Sequence, residues 1–156
     1  MLCRQCETTS QFLRMIQQDN LLEALPKDHP ALVFDGDCGF CNGAIQFVLT
    51  HEKRHDLVFV RRASELGMAI RRHFGLEAVE SMLWVENGTA RIESESVLKV
   101  ASYVGGWCRL ASIAYVIPRA LRNWGYRLIA KNRKRLSGKN PKCVLPTTEQ
   151  RARFLA

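Results

Sequence analysis

The chain has 156 residues, 47% of them hydrophobic and 24% charged, which suits one domain with a buried core rather than a disordered or fibrous polymer. Its longest apolar stretch, Leu110 to Ile117, falls far short of the roughly 20 residues that span a bilayer. Met1 to Gln11 carry cysteines and polar groups instead of a basic stub and an apolar run, so no secretory signal is read there and a cytoplasmic location is expected. The net charge of +8 is concentrated. Ser96 to Thr148 holds 11 Lys and Arg and no acid, while the rest of the chain carries 12 bases against 15 acids, so an electrostatic partner is expected to meet the basic stretch.

Phe12, Met15, Ile16, Leu22 and Leu25 are roughly helix-spaced, which predicts a short N-terminal helix ending at Pro26. Two prolines in Pro26-Lys-Asp-His-Pro30 resist helix and mark a linker. The expected organisation is thus an extension over 1–30 and a main domain over 31–156. Ala31-Leu-Val-Phe34 is a continuous apolar run of the kind a buried central strand shows. From Cys38 to about Lys53 the pattern turns helical, with Phe40, Ala44, Ile45, Val48 and Leu49 on one side. Leu57 to Val60 is a second strand, and Ser64 to Phe74 a second helix stopped by Gly75.

Met82 to Val85 and Thr89 to Ile92 flank Asn87-Gly88, a hairpin signature because both turn positions favour positive φ. Ser96 is read as the cap of the next helix, which reaches Gly105-Gly106. Two further helices are expected over Leu110 to Ile117 and Arg119 to Leu136, with Pro118 suited to the first turn of the latter. The order β-α-β-α-β-β-α, followed by extra helices, is the minimal thioredoxin-like α/β arrangement with a basic helical cap.

Four of the six cysteines form two Cys-x-x-Cys pairs, Cys3/Cys6 and Cys38/Cys41. Without an export signal, such spacing points to redox or metal chemistry more than to structural disulfides. The second pair falls where a buried strand hands over to a helix. A cysteine in that position faces unpaired backbone N–H groups and the positive helix end, which favour the thiolate that attacks in disulfide exchange. Cys38 is therefore the candidate nucleophile. Cys41, three residues on and on the same helix face, is the candidate resolving thiol. Asp37 is a like charge beside Cys38 and opposes the thiolate. It is also a candidate helix cap, and Asp35 a candidate proton acceptor; the sequence leaves both roles open.

The segment Phe34-Asp-Gly-Asp-Cys-Gly-Phe-Cys-Asn42 resembles the signature of the DCC-type thiol-disulfide oxidoreductases. The likeness continues through Ser96-Val-Leu, Trp107, Ile117-Pro118-Arg119, Tyr126 to Arg133, Cys143 and Arg151 to Phe154. It implies a thioredoxin-like fold and protein-disulfide reductase activity, with a disulfide-bearing protein or small thiol as substrate and an external reductant. No organic cofactor and no metal are called for, since the electrons reside in the sulfurs. Two features depart from the wider thioredoxin pattern: Glu77 to Met82 lacks the proline that thioredoxins carry before the third strand, and the first 30 residues lie outside the likeness.

Other readings compete. Cys3, Cys6, Cys38 and Cys41 match the four thiolates of a structural zinc site, although their separation exceeds the compact zinc pattern. Asp35-Gly-Asp37 after an apolar strand is similar to the start of haloacid-dehalogenase-type phosphatases, but no acid follows Glu95 until Glu149 to hold magnesium. The basic helix, with Trp124 and Tyr126 interleaved, suits contact with nucleic acid or anionic membrane. The preferred expectation is a solvated basic face, with Tyr126, Leu128, Ile129 and Leu136 forming the helix's buried side. Cys108 is expected in the core. Cys143, between Pro141 and Pro146, is expected near the Cys38/Cys41 pair. The four histidines are expected at the surface.

Overall fold

A computed structural model describes residues 28–136 and 147–155. The expected N-terminal helix, Cys3, Cys6 and Cys143 lie outside the described residues. The elements in chain order are β1 (Ala31–Phe34), α1 (Gly39–His51), β2 (Val58–Arg61), α2 (Glu65–His73), the hairpin strands β3 (Leu83–Glu86) and β4 (Thr89–Ile92), and α3 (Glu93–Val104). A 3₁₀ helix (Gly106–Val116), α4 (Arg119–Leu136), a single-turn α5 (Thr148–Arg151) and β5 (Phe154–Leu155) complete the order. Through Val104 the order is the expected β-α-β-α-β-β-α. The fold is mixed α/β and compatible with a thioredoxin-like arrangement.

The sheet order is β4-β3-β1-β2-β5. β1 runs parallel to β2, with Phe34 opposite Arg61, and antiparallel to β3, with Val33 opposite Leu83. All four residues of β1 are buried, because successive side chains point to opposite faces and both faces are covered. On one side Leu32, Phe34, Phe59 and Trp84 pack with Ile45, Val48 and Leu49 of α1 and Tyr103 and Val104 of α3. On the other, Ala31, Val33, Val58, Val60 and Leu83 pack with Leu66 and Ile70 of α2. Each such large side chain, fully buried, contributes about 1.5–3 kcal/mol, so these two layers hold the elements that carry the site.

Local chemistry explains most boundaries. Ser64 caps α2 by accepting the Gly67 N–H at 3.1 Å, and Gly75, at φ 64°, ends it. Asn87 and Gly88, at φ 50° and 67°, make the predicted hairpin turn. Gly67 is forced by packing: a Cβ there would sit 2.1 Å from the backbone carbonyl oxygen of Arg61, so α2 lies on the end of β2 only because this residue has no side chain.

Three expectations need correction. Ser96 does not cap α3, which begins three residues earlier. Glu93 starts the helix at φ 53°, its N–H held by Ser81 Oγ at 3.3 Å, and Ser96 is buried with its hydroxyl bonded to the Glu93 carbonyl. The helix expected over Leu110 to Ile117 is of 3₁₀ type and begins earlier, spanning Gly106–Val116. In α4, Leu128 and Ile129 are exposed rather than buried. The helix turns its polar side inward: Arg122 Nε donates to Ser94 Oγ at 2.9 Å, Arg127 Nε to Glu93 Oε1 at 2.7 Å, and Arg119 pairs with Glu95 at 3.3 Å. The acids of the α3 first turn thus compete successfully with the apolar residues of α4 for its inner side. Cys108 is half-buried against the core, and His29, His51, His55 and His73 are exposed, as expected.

The sheet's edge strand β5 is not announced by the sequence. Phe154 stacks on Phe59 with ring centroids 4.9 Å apart and β5 pairs in parallel with β2, covering that edge. Arg153, just before it, reaches Glu52 with Nη1 to Oε2 at 3.1 Å. The Glu52 side chain is fully buried, and Tyr103 Oη lies 3.1 Å from its Oε2. The same hydroxyl lies 2.8 Å from Asp56 Oδ1 and accepts the Leu57 N–H at 3.0 Å. This network closes the amino-terminal end of β2, away from the cysteines.

Candidate functional site

The Asp35–Cys38 loop leaves the carboxyl end of β1, where parallel strands of an open sheet present their ligands and reacting groups. Its shape comes from four hydrogen bonds. The Cys38 N–H donates to the Asp35 carbonyl at 3.3 Å, and the Asp37 N–H to Asp35 Oδ1 at 3.2 Å. Asn42 Nδ2 donates to the Gly36 carbonyl at 3.1 Å, tying the loop to the first turn of α1. The Asn42 N–H donates to the Cys38 carbonyl at 2.9 Å, which is the first helical bond and makes Cys38 the cap residue of a 13-residue helix.

Cys38 and Cys41 are thiols in this structure, brought to the start of one helix as expected. Both cysteines are buried, Cys38 with 9% and Cys41 with 4% exposure. The aromatic ring of Phe40, between them, is exposed. Asp37 is not a helix cap: α1 has no side-chain cap at all, and Asp37 is exposed with its carboxylate 3.5 Å from Arg61. Asp35 is braced instead of standing open, its Oδ2 accepting from Arg62 Nη2 at 3.0 Å.

Arg61 and Arg62 are the residues that sequence reasoning passed over. Arg61 ends β2 and Arg62 follows it, and because Phe34 and Arg61 are register partners, both guanidiniums fall beside the cysteine loop. Arg61 lies across Gly36, where a Cβ would be 2.6 Å from its Nε. The two bases offset the two acids, so the negative charge adjacent to Cys38 in sequence is balanced in space. A basic pair directly after an apolar strand, parallel to the strand that precedes the cysteines, is the signal from which they are readable.

Beyond β3, at the same end of the sheet, an open cleft of about 740 Å³ is lined by Val79, Ser81, Glu93, Tyr126, Arg127 and Lys131 among others. Its volume lies in the range of small-ligand sites. Among the described residues, no group of three or more His, Cys, Asp or Glu side chains converges as metal ligands. Cys3 and Cys6, needed for a four-thiolate zinc site, lie outside the described residues.

A mixed α/β fold with a Cys-x-x-Cys at the start of the helix after the first strand defines a class in which thiol chemistry is the natural expectation. The comparisons narrow it. The family model of DCC1-like thiol-disulfide oxidoreductases matches residues 32–139, and the chain belongs to that family. It is 33% identical over 126 residues to the uncharacterized protein YuxK of Bacillus subtilis, a match spanning 80% of this chain and 92% of that protein. It is 32% identical over 119 residues to a chloroplastic DCC family protein of Arabidopsis thaliana, spanning 74% of this chain and 69% of the relative. No solved structure matches the chain.

Proposed function

We propose that this protein is a thioredoxin-like, protein-disulfide-reductase-type enzyme working through Cys38 and Cys41. The observation that carries the reading is that Cys38 caps α1 and Cys41 lies in its first turn. The Cys38 thiolate attacks a substrate disulfide, forming an S–S bond to one substrate sulfur and expelling the other as a thiolate. Cys41 gives up its proton and attacks the Cys38 sulfur, forming the Cys38–Cys41 disulfide and releasing the second substrate thiolate. Two electrons pass from the protein dithiol to the substrate, and two protons complete the substrate thiols. An external dithiol reductant restores the starting state.

The positive amino end of the α1 dipole favours the charge that develops on the attacking and leaving sulfur. Arg62, through Asp35, holds the loop that aims it. The exposed Phe40 ring gives a disulfide-bearing peptide or small thiol an apolar contact. Reduction is the direction we assign, as suits a reducing compartment; residues 31–156 form the working unit.

The test is a redox titration of the full chain in glutathione buffers, read by intact mass and thiol count. A reversible loss of two thiols that disappears in both Cys38→Ser and Cys41→Ser is the expected result. A protein whose two thiols never pair, or that unfolds when metal is chelated, refutes the reading and makes the four-thiolate zinc site the better one.

A further inference from the structure

The 3₁₀ helix and α4 share an unusual property: each packs its small or charged side on α3 and turns its large apolar side to water. In a 3₁₀ helix, residues three apart eclipse one another. Trp107, Leu110, Ile113 and Val116 therefore stand in one ridge, and they are between 57% and 89% exposed. Cys108, Ala111 and Ala114, one position on, are the half-buried inner row. In α4 the spacing i, i+3, i+7 aligns Leu121, Trp124 and Leu128, which are between 52% and 64% exposed. The opposite side carries the Arg119, Arg122 and Arg127 contacts to Glu93, Ser94 and Glu95. Lone exposed apolar residues are ordinary, but two aligned ridges on consecutive elements are the mark of an interaction surface.

Charge selects the occupant. The 3₁₀ helix and α4 carry Arg109, Arg119, Arg122, Arg127, Lys131, Arg133, Lys134 and Arg135 and no acid. A second copy of the chain would oppose like to like. An apolar ridge bearing tryptophans, inside a wholly basic stretch, is complementary to a surface that is apolar beneath an anionic layer. Among the described residues no helix is long and apolar enough to cross a membrane, so the complement is a surface to lie on. We propose that the 3₁₀ helix and α4 form a docking surface for anionic lipid membranes, with Trp107, Ile113, Leu121, Trp124 and Leu128 entering the headgroup boundary and the exposed bases outside the α3 contacts, Arg109 and Lys131, meeting the headgroups.

The experiment is co-sedimentation of the full chain with vesicles of phosphatidylcholine alone and of phosphatidylcholine mixed with phosphatidylglycerol, with tryptophan fluorescence read in parallel. Expected are binding to the mixed vesicles, a blue shift of emission, and weakening by salt. A Leu121→Ser/Trp124→Ser/Leu128→Ser variant, altered only at exposed positions, is expected to bind at least about tenfold more weakly while keeping its circular dichroism and exchange rate. Equal affinity for the two vesicle types overturns the charge argument. An absence of binding, or a concentration-dependent dimer in sedimentation that the triple variant abolishes, overturns the proposal; the dimer result assigns the ridge to self-association.

Discussion

The two ends of β2 solve opposite problems with the same residue types. At its amino end Glu52, Arg153, Tyr103 and Asp56 form a closed network around a fully buried carboxylate. At its carboxyl end Arg61 pairs with Asp37 in the open at 3.5 Å, and Arg62 with a half-buried Asp35 at 3.0 Å. A buried pair is expensive to break because its survivor is stranded without water, whereas exposed pairs contribute about 0–1 kcal/mol. The difference teaches where rigidity and chemistry are kept apart: the locked end fixes β2 and β5, and the adjustable end frames the sulfurs. Substitutions at the first are expected to cost stability and those at the second to change exchange.

The largest effect expected is at Arg153→Met, which leaves the Glu52 carboxylate buried without its guanidinium. Urea unfolding is expected to show a loss of about 3–5 kcal/mol, with the exchange rate of the remaining folded protein unchanged. Gly67→Ala follows. Its methyl meets the Arg61 backbone oxygen, so α2 must part from β2 at about 2–3 kcal/mol. Because the same strand end carries Arg61 and Arg62, this variant alone is expected to lower both stability and exchange.

Tyr103→Phe removes one hydroxyl from the closed end and is expected to cost about 1–3 kcal/mol, with a pH signature. Burial first, and the Asp56 hydrogen bond second, raise the Tyr103 phenol well above its ordinary 10.0. The unfolded chain therefore loses this proton first, and wild-type stability declines as pH rises above about 10; the Phe variant lacks that decline. On the acid side, burial pushes Asp56 up, but hydrogen bonds from Tyr103 and Arg54 outweigh it and hold the carboxyl below its ordinary 3.8. The Lys99 hydrogen bond holds Glu86 below 4.5 despite burial. Both contributions are complete above about pH 5 and vanish as pH falls through the depressed values, and thermal melts across that range read them directly.

The smallest stability effects belong to the sulfur end. Arg62→Gln, which removes a half-buried hydrogen-bonded pair, is expected to lose about 1 kcal/mol yet slow exchange about tenfold by loosening the Asp35 brace. A large stability loss there, or an exchange defect in Arg153→Met, would erase the contrast between the two ends.

What the sequence makes readable is whatever neighbours in the chain decide. Asn87-Gly88 demands its hairpin, Ser64 its helix start, and the apolar run Ala31 to Phe34 a strand buried on both faces. Cys38 and Cys41 are found the same way, from a strand-to-helix junction seen in local pattern. What stays hidden depends on residues far apart. β5 is two residues long and exists through pairing with β2. Glu52 and Arg153 are unremarkable until the fold joins them. Glu93 starts α3 because Ser81 and Arg127 hold it, so the local preference for Ser96 loses. Leu128 and Ile129 of α4 are misjudged because periodicity gives the stripe without saying which side is inward.

The most direct test of the central claim is trapping. Cys41→Ser, exposed to a disulfide-bearing peptide and quenched with acid, is expected to yield a stable mixed disulfide mapped by mass to Cys38, while Cys38→Ser yields none. A mixed disulfide that forms on another cysteine, or equally in both variants, contradicts the assignment of Cys38 as the nucleophile.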